Sequence, residues 1–115
     1  MMPDNIKVLG QLKPAGYTLS TLYTVPQGTG AKSVGTVVST LAVCNQGAAN
    51  AKFRISIGVA GAADDPSQYV YYDEPVFAKK TFMATVGKTL GQLDVLRVYS
   101  DTGTVSFTAF GAEKL

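Results

Sequence analysis

From Lys52 to Val59 the chain reads KFRISIGV, with Phe53, Ile55, Ile57 and Val59 alternating against Lys52, Arg54, Ser56 and Gly58. A period of two sets the first group on one face of an extended strand and the second on the other, whereas a helix would scatter both around its circumference. The segment demands a sheet with one dry face and one face for water or a partner. No competing helical period runs through the chain: the alanines gather in GAANA and GVAGAA, which lack helical spacing and read as loops or strand ends.

Other segments repeat the signal. IKVLGQL, set between Pro3 and Pro14, reads as an edge strand or extended arm within residues 1–16, ahead of a sandwich domain over residues 17–115. TLSTLYTV places Leu19, Thr21, Tyr23 and Val25 on one face. SVGTVVSTLAVC is apolar on both faces and too long for simple alternation, which predicts a bulge near Ser39. GAADDPSQ reads as a loop, and QYVYYDEPV as a strand that Pro75 ends or confines to an edge. Within it, one of Tyr71 and Tyr72 must point inward. KTFMATV sets Phe82, Ala84 and Val86 on one face.

DVLRVYSDTGTVSFTAF reads as a hairpin. An even loop centred on Thr102 and Gly103 aligns Leu96 and Val98 with Val105 and Phe107, and leaves Arg97 and Tyr99 next to Thr104, Ser106 and Thr108 outside. A slip of one residue would reverse every side chain. In all, about eight strands with turn signals at sandwich spacing predict an all-β fold, an antiparallel β-sandwich. Jelly-roll and Ig-like orders both stay open, because periodicity does not report strand order.

Charge and chemistry narrow the function classes. Ten basic against eight acidic residues leave a net charge of +2, spread singly except at Lys79 and Lys80, so no basic stripe points to a nucleic acid. No apolar run approaches the ~20 residues of a membrane-spanning helix, and MMPDNIKVLG puts a proline and an aspartate where a signal peptide has its basic start and apolar run. Synthesis and folding in a cytoplasm, with no membrane partner, are expected. The chain has no histidine, which removes Ser–His and Cys–His nucleophilic schemes. Cys44, the single cysteine, follows LAV and is expected to be a small packed hydrophobe, not a reactive thiol. The pairs Asp64-Asp65 and Asp73-Glu74 lack the alternating spacing of a calcium loop and read as solvated turns, so neither metal nor cofactor is expected. A glycosidase pair would need a deeper cleft than so small a strand-rich domain offers. Gly28, Gly30 and Gly35 are turn glycines, without the lysine and hydroxyl that close a phosphate loop. The most suggestive surface feature is Tyr69, Tyr71 and Tyr72 with Tyr99, as tyrosines serve strand packing, protein contacts and sugar stacking.

Taken in order, LYTVPQG, VSTLAVCNQG, AKFRISI, QYVYYD, TLGQLDVLRVYS and VSFTAFGAEKL resemble a group of small all-β virion accessory proteins of tailed bacteriophages, found in the head, neck or tail. The likeness runs from Ile6 to Glu113 and departs in the Gln27 to Lys32 turn and the GAEKL ending. It implies a non-enzymatic structural role in a virion, in contact with other virion proteins, with head decoration or stabilisation ahead of a neck or tail position. It also implies self-association, a trimer foremost. The residues expected at interfaces are Ile6, Val8 and Leu12 on an anchoring N-terminal arm, together with Tyr69, Tyr71, Tyr72, Arg97 and Tyr99. The alternative is a carbohydrate- or receptor-binding module of a tail fibre or baseplate that uses the tyrosines and the DDPSQ loop.

Overall fold

The structure, a computed structural model, describes residues 5–27 and 35–114. Expectations for the Ile6 and Val86 side chains and for residues 28–32 fall outside the described residues. Eight strands follow in order: β1 (Asn5–Leu12), β2 (Ser20–Thr24), β3 (Gly35–Asn45), β4 (Ala51–Gly58), β5 (Tyr69–Val76), β6 (Thr81–Gly91), β7 (Val95–Ser100) and β8 (Val105–Lys114). Two short 3-10 turns, Val59–Gly61 and Pro66–Gln68, lie between β4 and β5. The strands form two antiparallel four-stranded sheets, ordered β1-β8-β3-β6 and β2-β7-β4-β5. The pairing is nested, β1 with β8, β2 with β7, β3 with β6 and β4 with β5. The expected all-β sandwich is the fold, and Asn5–Leu12 is an edge strand of the first sheet.

The inner faces meet in a core built from the period-two positions. Leu41 and Val43 of β3, Phe53 and Ile55 of β4, Leu96 and Val98 of β7, and Val105 and Phe107 of β8 are fully buried. Phe53 stands at the centre, 5.3 Å from Phe82, 5.9 Å from Tyr71 and 6.2 Å from Phe107 between ring centroids, in tilted and edge-to-face contacts. The expected alternation in KFRISIGV holds through Ile57, which packs against this core. It fails at Val59, which is exposed. There the chain leaves the sheet, with Ala60 in the left-handed region at φ 53° and its amide held 2.8 Å from Asp94 Oδ1.

The register of β3 shifts between Val38 and Thr40 against both neighbours, so Ser39 is the bulge that the doubly apolar sequence predicts. Its hydroxyl donates to the Phe110 carbonyl at 3.1 Å. Across from the bulge the β8 backbone comes so close that a Cβ on Gly111 would sit 2.0 Å from the Val37 carbonyl oxygen, which only glycine avoids. A second bulge, between Thr21 and Tyr23, turns both Leu22 and Tyr23 inward and leaves Thr21 exposed, unlike the simple alternation expected for β2.

The hairpin reading of the last two strands is corrected. β7 belongs to the second sheet and β8 to the first, and residues 101–104 cross between them. Leu96, Val98, Val105 and Phe107 all reach the core, but from opposite sheets, so Arg97 and Tyr99 lie on the outer face opposite to that of Ser106 and Thr108. Alternation dictates which side chains are dry and is silent on which sheet a strand joins. Polar bonds fix the crossing: the Asp101 amide donates to the Lys52 carbonyl at 3.1 Å, and Asp101 Oδ1 accepts the Lys52 amide at 2.9 Å.

Two substitutions test this packing. Phe53→Ala is expected to destabilise the fold by about 3–5 kcal/mol, the usual cost of a large aromatic cavity, in denaturant unfolding. Gly111→Ala should lower the melting temperature although it adds a single methyl group, while Ala112→Gly beside it has a much smaller effect.

Candidate functional site

The outer face of the second sheet gathers four of the eight sequence-predicted interface residues: Tyr69, Tyr72, Arg97 and Tyr99. Register sets Arg54 beside Tyr99 and Ser56 beside Arg97. The Arg54 guanidinium carbon lies 4.1 Å from the Tyr72 ring centroid and 4.5 Å from that of Tyr99, a cation held by two aromatic rings. Its Nε and Nη2 donate to Asp73 Oδ1 and Oδ2 at 2.7 and 3.3 Å. Asp73 sits at a register break in β5 with φ 53°, a left-handed conformation that aspartate tolerates, and this break turns its carboxylate toward Arg54. That hydrogen bond holds the Asp73 carboxyl below the usual range and raises Arg54 further. Tyr69 meets Tyr72 edge-on at 5.2 Å and donates to Asp64 Oδ1 at 2.9 Å, and exposed Tyr17 meets Tyr99 edge-on at 6.4 Å. Arg54, Asp64, Pro66, Tyr69 and Tyr72 border an open groove of about 450 Å³.

The predicted residues differ in exposure and in the face they occupy. Tyr71 turns inward against Phe53 and Phe82, and Leu12 packs against the core, so both are partly buried and not on an outer face. Tyr72 is the outward member of the tyrosine pair, 59% exposed. Arg97, on this same face, is half-buried, with its Nη1 and the neighbouring Ser56 Oγ both enclosed without a hydrogen-bond partner among the described residues. Val8 is 45% exposed on the opposite side of the molecule, where it pairs with Phe110. The acidic pairs act separately: Asp65 accepts the Ser67 amide and hydroxyl and so caps the 3-10 turn, which lowers its carboxyl, while Asp64 holds Tyr69.

The outer face of the first sheet is chemically different. Its outward rows are Val8 and Gln11 on β1, Ser106, Thr108, Phe110 and Ala112 on β8, Val37, Thr40, Ala42 and Cys44 on β3, and Thr81, Met83, Thr85 and Thr89 on β6. Among the described side chains these rows carry no charge. Met83 is 57% and Phe110 38% exposed. Lys7, Val37, Ser39, Phe110, Gly111 and Ala112 border a groove of about 460 Å³ along the bulge. Cys44 is half-buried here, on the outward row of a middle strand, and not in the core as LAVC suggested. The inward residue of that stretch is Asn45, which is wholly buried: its Nδ2 donates to the Ala49 and Val76 carbonyls at 2.8 and 3.1 Å, and its Oδ1 accepts from the Gly47 amide and Thr104 hydroxyl at 2.9 and 3.0 Å.

A buried polar tie closes the other end of β3. Tyr23 of the second sheet donates to Glu113 Oε2 of the first and shares a 2.9 Å hydrogen bond with Thr36, while Lys7 Nζ lies 3.1 Å from Glu113 Oε1. Burial, then the Glu113 hydrogen bond, pushes the Tyr23 hydroxyl up to about 12. Glu113 goes the other way, below the ordinary carboxylate range, because the Tyr23 hydrogen bond and Lys7 together outweigh its desolvation. Sequence reasoning missed this cluster, although Glu113 continues the inward row Val105, Phe107, Ala109, Gly111, and a carboxylate on a dry row needs a partner.

No protein-family model matches the chain, and no curated protein matches it.

The tie dictates a pH response at both ends. Glu113, lowered in the fold, contributes stability that is complete above its unfolded value of 4.5 and is lost as pH falls through the folded value. Tyr23, raised in the fold, contributes stability that is complete below its unfolded value of 10.0 and is lost as pH rises toward about 12. Calorimetric melting temperatures across pH should show Glu113→Gln flattening the acid limb and Tyr23→Phe the alkaline limb, each relative to the native chain.

Proposed function

We propose that this chain is a non-enzymatic structural protein of a tailed-bacteriophage virion, decorating or stabilising the head or forming part of the neck or tail, and that the outer face of its first sheet is a protein-contact surface there. The observation that carries this reading is the absence of charge among the described side chains of that sheet's outward rows, with Met83, Phe110 and Val8 exposed on a four-stranded support. Contact surfaces are depleted of charge at their centres, and a protein that repeats on a particle needs only modest affinity at each contact. The nested strand order supports the jelly-roll alternative over the Ig-like one, an architecture that serves both capsid and lectin domains. That link is an analogy of fold, and the function rests on the face.

A specific observation favours a second reading, a carbohydrate-binding module of a fibre or baseplate: the groove beside Tyr69 and Tyr72 with Arg54 and Asp64 at its wall. Against it, Arg54, Asp64 and Asp73 already bond one another or the tyrosines and leave fewer polar groups for a sugar. Binding on a glycan array that Tyr72→Ala abolishes would favour this second reading.

Mass spectrometry of purified virions from a phage encoding the chain tests the first reading. It predicts the protein in fixed copy number, and loss of a Met83→Lys, Phe110→Glu double variant from particles while its melting temperature stays near native. Virions without the protein would contradict it.

A further inference from the structure

The outer face of the first sheet fits one partner better than others. Its hydroxyl rows, threonines and serines, are donors and acceptors at once, so they match a copy of themselves. Its apolar residues, Phe110, Met83, Val8 and Val37, need only an apolar counterpart. A partner selected by charge would require charged groups to read, and the described side chains of the outward rows include none; Lys7, at the rim, is engaged by Glu113.

The dimensions agree. The longest strands of the sheet, β3 and β6, have 11 residues each. At ~3.3 Å per residue and ~4.8 Å between strands, four strands present a face of about 600 Å². Two copies face to face then bury about 1,200 Å², the lower bound of a specific interface. A two-fold axis over the middle strands β3 and β8 covers the whole face in both copies, while an axis over an edge strand leaves half of it bare.

We propose that a second copy of this chain stacks on the outer face of the first sheet about such an axis, sheet against sheet. This rests on the reading of that face as a contact surface and names its occupant. The native sequence supplies a probe, since Cys44, the single thiol, lies on the outward row of β3 beneath the proposed contact.

The experiment measures sedimentation equilibrium and the rate of Cys44 alkylation by iodoacetamide on the full chain from about 1 µM to about 1 mM, spanning the weak affinities expected of so small an interface. The expected result is a doubling of mass accompanied by at least a tenfold fall in alkylation rate over the same concentrations. Phe110→Glu, and independently Met83→Lys, should stay monomeric and react at the dilute native rate throughout, with native circular dichroism. Tyr72→Ala, on the opposite face, should behave as native. A strict monomer with a constant rate overturns the proposal, as does a dimer in which Cys44 reacts as fast as in the monomer. The two readings fail separately. If the isolated chain is monomeric yet the face variant is still lost from virions, the second copy is wrong and the contact face stands. If the chain dimerises as described but virions lack it, the virion role is wrong and the dimer stands.

Discussion

The ring of Phe53, carried on β4 of the second sheet, meets Phe82 and Phe107 of the first sheet as well as Tyr71 of its own. Four strands thus converge on one fully buried side chain. Because protein interiors are packed as densely as organic crystals, such a cluster sets both the spacing of the two sheets and their relative rotation. Polar groups then close the ends of the layer. At the start of β3, Thr36 shares Tyr23 with Glu113; at its end, Asn45 reaches across to the Val76 carbonyl of β5. Buried polar groups of this kind add little net stability when satisfied and cost much when broken, so they select one arrangement of the sheets over its near alternatives.

With the interior closed in this way, the two outer faces are left for function, and they differ. On the second sheet, Arg54, Asp73, Tyr72, Tyr99, Tyr69 and Asp64 bind one another in a ladder that rigidifies the surface. On the first, hydroxyl and apolar side chains stand in outward rows that no other described residue covers. The contrast is what favours the first face in the proposed association. Exposed apolar groups on a flat β surface carry a cost in solution that a partner removes.

Much of this was legible in the residues. The doubly apolar run around Ser39 required a bulge, and one is there; the adjacent pair Tyr71 and Tyr72 had to divide between core and surface, and did. What alternation could not supply was partnership. DVLRVYSDTGTVSFTAF has the pattern of a hairpin, yet its strands lie in opposite sheets, because a dry row is equally dry on either side of a sandwich. Cys44 and Asn45 show the same limit at the scale of one residue: hydrophobicity favoured the cysteine for the interior, but the asparagine is buried, since four hydrogen bonds compensate its polar atoms. Glu113 was overlooked for a like reason, its partners Tyr23 and Lys7 lying about ninety and more residues away along the chain. The outer face of the first sheet escaped notice because it is assembled from isolated Val, Phe, Met and Thr residues on four strands whose order only the fold reveals.

Hydroxyl-radical footprinting of the assembled protein against the dilute chain tests most directly the claim that function resides in that face. Met83 and Phe110 report on the first sheet, Tyr72 and Tyr17 on the second. Loss of oxidation at Met83 and Phe110 on assembly, with Tyr72 and Tyr17 unchanged, is the predicted result. Protection of the two tyrosines, with Met83 and Phe110 oxidised as in the free chain, would contradict it.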